Sequence, residues 1–248
     1  MIRLKNKNDI AGIRESGLIL AETFKHIRSI ISPGITTKEI DREAENYIRK
    51  RGASPAFKGY MGFPASICIS LNEEVIHGIP SQRKIKTGDI VSIDIGVEYR
   101  GYISDSAQTF AAGSIDEKSV MLLKITEECL YRGINEAVAG NRVSDISKAV
   151  FTHAKNHNFG IVRDFCGHGV GFSVHEEPQV PNYISSGRNP RLKPGMVIAI
   201  EPMINIGGDD VLILDDKWTV VTADKSRSAH FEHTIAVNKD SADILTTL

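Results

Sequence analysis

Cysteine is scarce in this chain: three residues among 248, with no C-x-x-C pair. That excludes a disulfide framework and a zinc ribbon and points to a reducing compartment, the cytoplasm. A surplus of either charge is also missing. Lysine and arginine total 30 against 31 aspartates and glutamates, a net charge of −1, so neither nucleic acid nor a membrane surface is implied as a partner. The basic runs Arg49-Lys50-Arg51 and Arg83-Lys84 are short and read as solvated faces. No apolar run approaches membrane-spanning length, and the opening MIRLKNKNDI lacks the apolar stretch of a signal peptide. There is no low-complexity segment and no linker, so the expectation is one large α/β unit or two small domains.

What is present begins with helices. Ile10, Ile13, Leu20, Phe24, Ile27 and Ile31 have the three-four spacing of an amphipathic helix over 7–31, ended by Pro33-Gly34. Thr36-x-x-Glu39 starts a second helix to about Arg51, Ser114-x-x-Glu117 a third to about Val138, and a fourth runs from about Ser144 to His157. A short strand, Ser66 to Leu71, precedes a loop from Asn72 to Pro80. The last ninety or so residues are rich in strands and turns.

Between the helix pairs lies GDIVSIDIGVEYRGYISDSAQTF (Gly88 to Phe110), read as a β-hairpin. Ile90 to Ile95 is β-branched and apolar yet carries Asp94, and the returning strand carries Asp105. With the turn centred between Tyr99 and Arg100 the two aspartates face each other, about 4.5–5.5 Å apart. Two ionised carboxylates there repel, so one is protonated or a cation lies between them. The alternative is that both are solvated.

The order repeats: long helix, glycine, shorter helix, strands, with Gly140 answering Gly34. IKTGDIVSID (Ile85 to Asp94) aligns with LKPGMVIAIE (Leu192 to Glu201), which lands Asp94 on Glu201. Asp105 finds a looser echo in Glu232 of EHTIAV. The reading is an α+β fold of two pseudo-twofold halves, about 1–112 and 113–248, within a single domain, bringing four carboxylates to one face.

Four acids so placed suit a hard-cation site. His168 sits between glycines in GHGVG, and His175 follows seven residues later, so a bulge or turn near Gly171 is needed for both to face the site. His77 lies in the loop beside the hairpin. Four carboxylates and a histidine suit two divalent ions of the manganese, iron or cobalt type, roughly 3.5–4 Å apart, for metal-assisted amide hydrolysis. His26 and His230 read as structural or exposed, His153-x-x-x-His157 as a solvated helix face, and His233, on the other face of its strand, as core or as a support behind the ligands.

NEEVIHGIP, GDIVSIDIG, GHGVGFSVHEEPQVPNY, GMVIAIEPM and AHFEHTIAV, spread over essentially the whole chain, resemble the bacterial type I methionine aminopeptidases. The resemblance implies a pita-bread fold with a central curved antiparallel sheet and helices outside. It implies metal ligands Asp94, Asp105, His168, Glu201 and Glu232, with Asp105 and Glu232 bridging and Glu201 doubling as general base and acid. His77 and His175 would contact the scissile amide. The methionine pocket would comprise Tyr60, Phe63, Cys68, Val174 and Trp218. The pattern departs at Val174 and Phe57, where some relatives carry an aromatic residue and a cysteine. The implied cofactors are two divalent ions (Co, Mn, Fe, Ni or Zn) and a monovalent cation near Asn72, Glu74 and Ser228. The implied reaction is removal of the initiator methionine from nascent chains with a small second residue, by a monomer, with the ribosome as a partner. Two other readings stay in view. One is a proline-directed relative such as a prolidase, which usually carries an added N-terminal domain. The other is a pita-bread binding module that has lost catalysis.

Overall fold

The computed structural model describes residues 1–248, and its helices begin where side chains can satisfy free N–H groups. Asn6 caps α1 (Lys7–Arg28), and Thr36 with Glu39 forms the expected capping box of α2 (Thr37–Lys50). The first helix stops short of Ile31. Ser29 Oγ bonds the His26 carbonyl at 2.6 Å, and the Ile30 N–H turns to Ile27 instead. The third helix, α3 (Glu117–Glu136), is capped by Asp116 and not by Ser114. The Asp116 carboxylate accepts the Ser119 N–H at 2.9 Å and is held by Arg227 at 2.7 Å. The fourth, α4, is Val143–Asn156.

The short strand starts at Cys68, because the Ser66 and Ile67 N–H groups bond Asp41 Oδ1 at 2.9 and 3.1 Å and leave the ladder. Glu74–Ile76, expected as loop, is a strand paired with Val220–Thr222. Such a partner, about 145 residues away by the numbering, has no local signature.

The hairpin is Ile90–Tyr99 with Tyr102–Ala111. Its turn is Arg100-Gly101, both with positive φ (52° and 84°), a two-residue turn whose twist matches the strands. The turn therefore centres one residue later than expected. Asp94 faces Ala107, and Asp105 faces Gly96. The aspartates are diagonal neighbours on the same face, and the directly opposed arrangement is corrected. The other face carries Val91, Ile93, Ile95 and Val97, which pack against α1 and α2. Full burial of such a side chain is worth about 1.5–3 kcal/mol, and a one-residue slip would expose all of them.

The second half repeats the plan. Gly34 N–H bonds the Ile85 carbonyl at 2.8 Å, and Gly140 N–H bonds Leu192 at 3.1 Å. Gly88 (φ 95°) and Gly195 (φ 87°) occupy the same left-handed turn, which an L side chain resists. Val197–Ile200 pairs with His233–Val237 as the hairpin strands pair with each other, and α3 and α4 cover it. The register corrects one expected echo. Ile200 faces His233, so Glu201 is followed across the ladder by Glu232, which thus corresponds to Ala107. By the same count Asp105 corresponds to His230. A few residues of likeness could not set that register; strand pairing does. The halves join symmetrically: the Glu232 N–H donates to the Ala107 carbonyl at 2.9 Å, and the Ala107 N–H returns at 3.4 Å. Thr234 Oγ1 bridges the Asp105 N–H and carbonyl at 2.9 and 2.7 Å, and Thr109 Oγ1 bridges those of His230 at 3.0 and 2.8 Å.

Candidate active site

The seam between the halves gathers all five expected ligands. Asp94 and Asp105 come from the hairpin. Glu201 follows Val197–Ile200, Glu232 precedes His233–Val237, and His168 lies in the strand Gly167–Gly169. Asp105, His168, Glu201 and Glu232 are buried and Asp94 is half-buried. The solvated-aspartate alternative is therefore excluded for Asp105. Oδ1 of Asp94, Oδ1 of Asp105, Oε1 of Glu232 and Nε2 of His230 are enclosed without a hydrogen-bond partner. Enclosing unpaired carboxylates costs several kcal/mol each, roughly, unless a cation neutralises them. Donor atoms of Asp105, His168 and Glu232 all lie within 4.8 Å of one another. His168 Nε2 is 3.4 Å from Glu201 Oε1 and 3.9 Å from Asp105 Oδ2. Ligands about 2.0–2.2 Å from a shared ion have separations of that order. The donor set fits divalent cations.

Titration follows from enclosure. Burial, reinforced by Asp94 and Glu201, holds the Asp105 carboxyl well above its usual range. Burial does the same to Glu201, and to Glu232 with Asp105 adding. Burial pushes Asp94 up to about 6, with His230 opposing. It pulls His168 down to about 3, so the imidazole is neutral. His168 Nδ1 donates to the Gly169 carbonyl at 3.0 Å, which leaves the Nε2 lone pair facing the acids.

Local sequence explains how two histidines reach one site. A side chain at Gly167 would strike the Ala199 carbonyl, and one at Gly169 the Glu177 carbonyl. The ladder shifts register between His168 and Gly169, and the chain then turns at Gly171 (φ 134°), as the spacing required. The His168 and His175 rings meet edge to face, centroids 4.3 Å apart. Glu176 fixes the turn. Its Oε1 accepts the Phe172 and Ser173 N–H groups at 2.7 and 3.1 Å, and its Oε2 pairs with Lys5 at 2.7 Å. Nothing in the sequence marked Lys5 for that task.

A cavity of about 190 Å³ opens onto the acids. Tyr60, Phe63, Cys68 and Trp218 line it as expected, with Phe57, Met61, Ile76, Phe165 and Cys166. Val174 is not among the lining residues; it belongs to one buried cluster with Phe57, Phe63 and Cys68, which do line the cavity. His77 and His175 stand at the rim. Tyr60 Oη and His175 Nδ1 are 2.9 Å apart. His77, at φ 58°, stands edge-on to Phe165 and Trp218, and burial pulls its pKa down to about 4. The Asn72 carbonyl accepts the Ser228 N–H at 2.8 Å, while Glu74 turns its carboxylate to the Leu71 N–H and Arg83.

Other histidines divide. His26 is partly exposed and stacks on Tyr47. His233 is core, its Nδ1 2.9 Å from Thr246 Oγ1. His153 is not solvated: α3 packs over it, and Glu128 Oε2 lies 2.7 Å from its Nε2. His230 is also no bystander; it lies against Glu201 and Glu232. Period-two alternation from Glu232 could have found it, because residues 230 and 232 share a face. Cys166 had a signal too: Cys68-x₈-His77 recurs as Cys166-x₈-His175.

The model of metallopeptidase family M24 matches residues 11–239. The chain belongs to that family. Methionine aminopeptidase 1 of Bacillus subtilis is 52% identical over 246 residues, covering 99% of each chain. The crystal structure of methionine aminopeptidase from Rickettsia prowazekii superposes with a TM-score of 0.97 at 39% identity, covering 99% of this chain and 100% of that one. The prolidase from Pyrococcus furiosus follows at 0.80 and 26%, with this chain matching 65% of its length. The resemblance to methionine aminopeptidases is thus borne out, and the duplicated α+β architecture is the pita-bread fold of this M24 group.

Proposed function

We propose that the chain is a dinuclear metalloaminopeptidase that removes the initiator methionine from nascent proteins when the second residue is small. The observation that carries this reading is the enclosed, unpartnered carboxylate cluster opening onto an apolar cavity. Asp94, Asp105, His168, Glu201 and Glu232 would hold two divalent ions of the Co, Mn, Fe, Ni or Zn series, with Asp105 and Glu232 shared. Such ions lower the pKa of a water and polarise a carbonyl.

This chain's residues do the rest. Glu201, facing the cavity beside His168, can take a proton and return it to the leaving amine. His175, oriented by Tyr60 Oη, and His77, kept neutral by burial, supply hydrogen bonds to the scissile amide from the rim. Phe57, Tyr60, Phe63 and Trp218 form a wall suited to a flexible thioether chain. Residues 1–248 act as one catalytic domain, the halves about 1–112 and 113–248 each supplying part of the ligand set. The setting is a cytoplasmic monomer acting on N-terminal peptides at or near the ribosome, with a monovalent cation near Asn72, Glu74 and Ser228.

The test is hydrolysis of Met-Ala-Ser, Met-Lys-Ser and Ala-Pro-Ser by metal-stripped protein resupplied with Mn²⁺, Fe²⁺ or Co²⁺. Cleavage of Met-Ala-Ser alone is expected. Cleavage of Ala-Pro-Ser instead would move the chain to the proline-directed branch. No cleavage with metal bound would leave a binding module.

A further inference from the structure

We infer that His230 is a positioning residue of the metal centre, its Nε2–H directed at the outer oxygen of Glu201. The inference rests on the ligand assignment above and concerns a residue to which that assignment gives no role. Glu201 is approached by an imidazole at each oxygen. His168 Nε2 lies 3.4 Å from Oε1, and His230 Nε2 lies 3.6 Å from Oε2. Oε1 faces His168, with which Glu201 would help to hold an ion, and Oε2 faces His230. The His230 side chain is 2% exposed, its Nε2 has no partner, and Glu232 Oε2 stands 4.0 Å away. A buried ring nitrogen of this kind needs a partner, and of the two carboxylates within 4.0 Å the nearer is Glu201.

The backbone around His230 is built to hold it there. Thr109 Oγ1 grips both its N–H and its carbonyl, and Ser92 Oγ lies 2.8 Å from that hydroxyl. His230 pairs with Met203, two residues beyond Glu201, so the short link Glu201-Pro202 sets the spacing between the two side chains. The position is also the pseudo-twofold counterpart of Asp105, an expected ligand, and so aims at the same centre from the other half. Partners of this outer type orient a ligating carboxylate, and their loss weakens metal affinity by roughly 10–100-fold.

The experiment compares His230→Leu, His230→Gln and Asp105→Asn in the full chain. Metal-stripped protein is titrated with Co²⁺ by calorimetry, and the visible absorption of the Co²⁺ form is recorded. Leucine keeps the bulk and removes the donor. It is expected to weaken Co²⁺ binding about 10–100-fold and to shift the visible bands. Glutamine, whose amide N–H can reach the same oxygen, should recover affinity to within a few-fold. Wild-type affinity and spectrum in His230→Leu would overturn the inference, as would equal losses in the Leu and Gln variants. If the leucine variant fails to fold, the glutamine variant decides alone: wild-type-like Co²⁺ spectrum and affinity support the inference, and a large loss overturns it. Asp105→Asn separates the two readings. Wild-type Co²⁺ binding in that variant removes the ligand assignment itself, whereas its loss alongside an unaffected His230→Leu removes only the role of His230.

Discussion

The two halves of the molecule share a backbone and differ in what they put on it. Gly88 and Gly195 make the same turn, Asp94 and Glu201 the same position, and Thr109 and Thr234 the same bridge to the opposite half. At the next equivalent pair the halves part: Asp105 against His230. At the pair after that, alanine at 107 stands against Glu232. The first half thus supplies two aspartates, and the second supplies the longer acids and both imidazoles close to them. A symmetric scaffold delivers side chains to one point, and an asymmetric set makes the point chemically useful. The rim repeats the lesson. His77 and His175 follow equivalent cysteines, but only the His175 turn is tied down by a buried ion pair, Lys5 with Glu176.

Breaking the ligand set should have the largest effect. Asp105→Asn is expected to lower turnover by about 10³-fold or more, equivalent to roughly 4 kcal/mol, because a shared negative charge is lost. The metal-free variant should melt at or above wild type, since an enclosed unpaired carboxylate has been removed. Near-full turnover in protein free of wild type would sink the assignment, and thermal scans with and without Mn²⁺ check the rest.

Lys5→Met breaks the one-sided tether. Leaving Glu176 charged and buried should cost about 3–5 kcal/mol, read from urea unfolding. Turnover should fall as well, because the His175 turn loses its anchor. An unchanged midpoint would show that the pair contributes only geometry.

His233, on the face away from the site, corresponds to Gln108 in the other half. Burial holds it at about 4 against an ordinary 6.5. The unfolded chain therefore takes up the proton first as pH falls. Stability from this group is complete above about 6.5 and declines toward 4, by about 3 kcal/mol in all. His233→Gln, which restores the symmetry, should flatten that part of the stability–pH curve. A slope identical to wild type would assign acid sensitivity to other groups.

The finest comparison is Thr109→Val against Thr234→Val. Each leaves a buried N–H and carbonyl unpaired at an equivalent place, so each should cost about 1–3 kcal/mol, and Thr109→Val should cost the more because it also strips the buried Ser92 hydroxyl of its partner. Equal costs would show that the Ser92 bond adds nothing to the seam.

Much of this was legible in the chain because its signals are local. Capping boxes, the three-four spacing of α1 and the apolar run before Asp94 act through neighbours within a turn or a strand. The internal repeat carried Asp94 onto Glu201 because turn glycines and a buried acid leave a pattern that survives duplication. His168 and His175 stood out by their glycines. Other features carried weaker signals or misled. Ser114 looked like a cap, but Asp116 held the stronger acceptor and an arginine from residue 227. Val174 was assigned to the pocket and is buried in one cluster with Phe57, Phe63 and Cys68 beside it.

By itself, then, the sequence determined the helices, the hairpin and the duplicated α+β plan, since each is written in short-range spacing or in its repetition. Only the tertiary structure decided the register. The turn at Arg100-Gly101 set Asp94 and Asp105 diagonal, and strand pairing matched Asp105 with His230. The same long-range pairing buried His153 under α3, brought Lys5 to Glu176, and left four polar atoms of the site enclosed without partners. Those facts depend on contacts between residues far apart in the chain, and no local pattern encodes them.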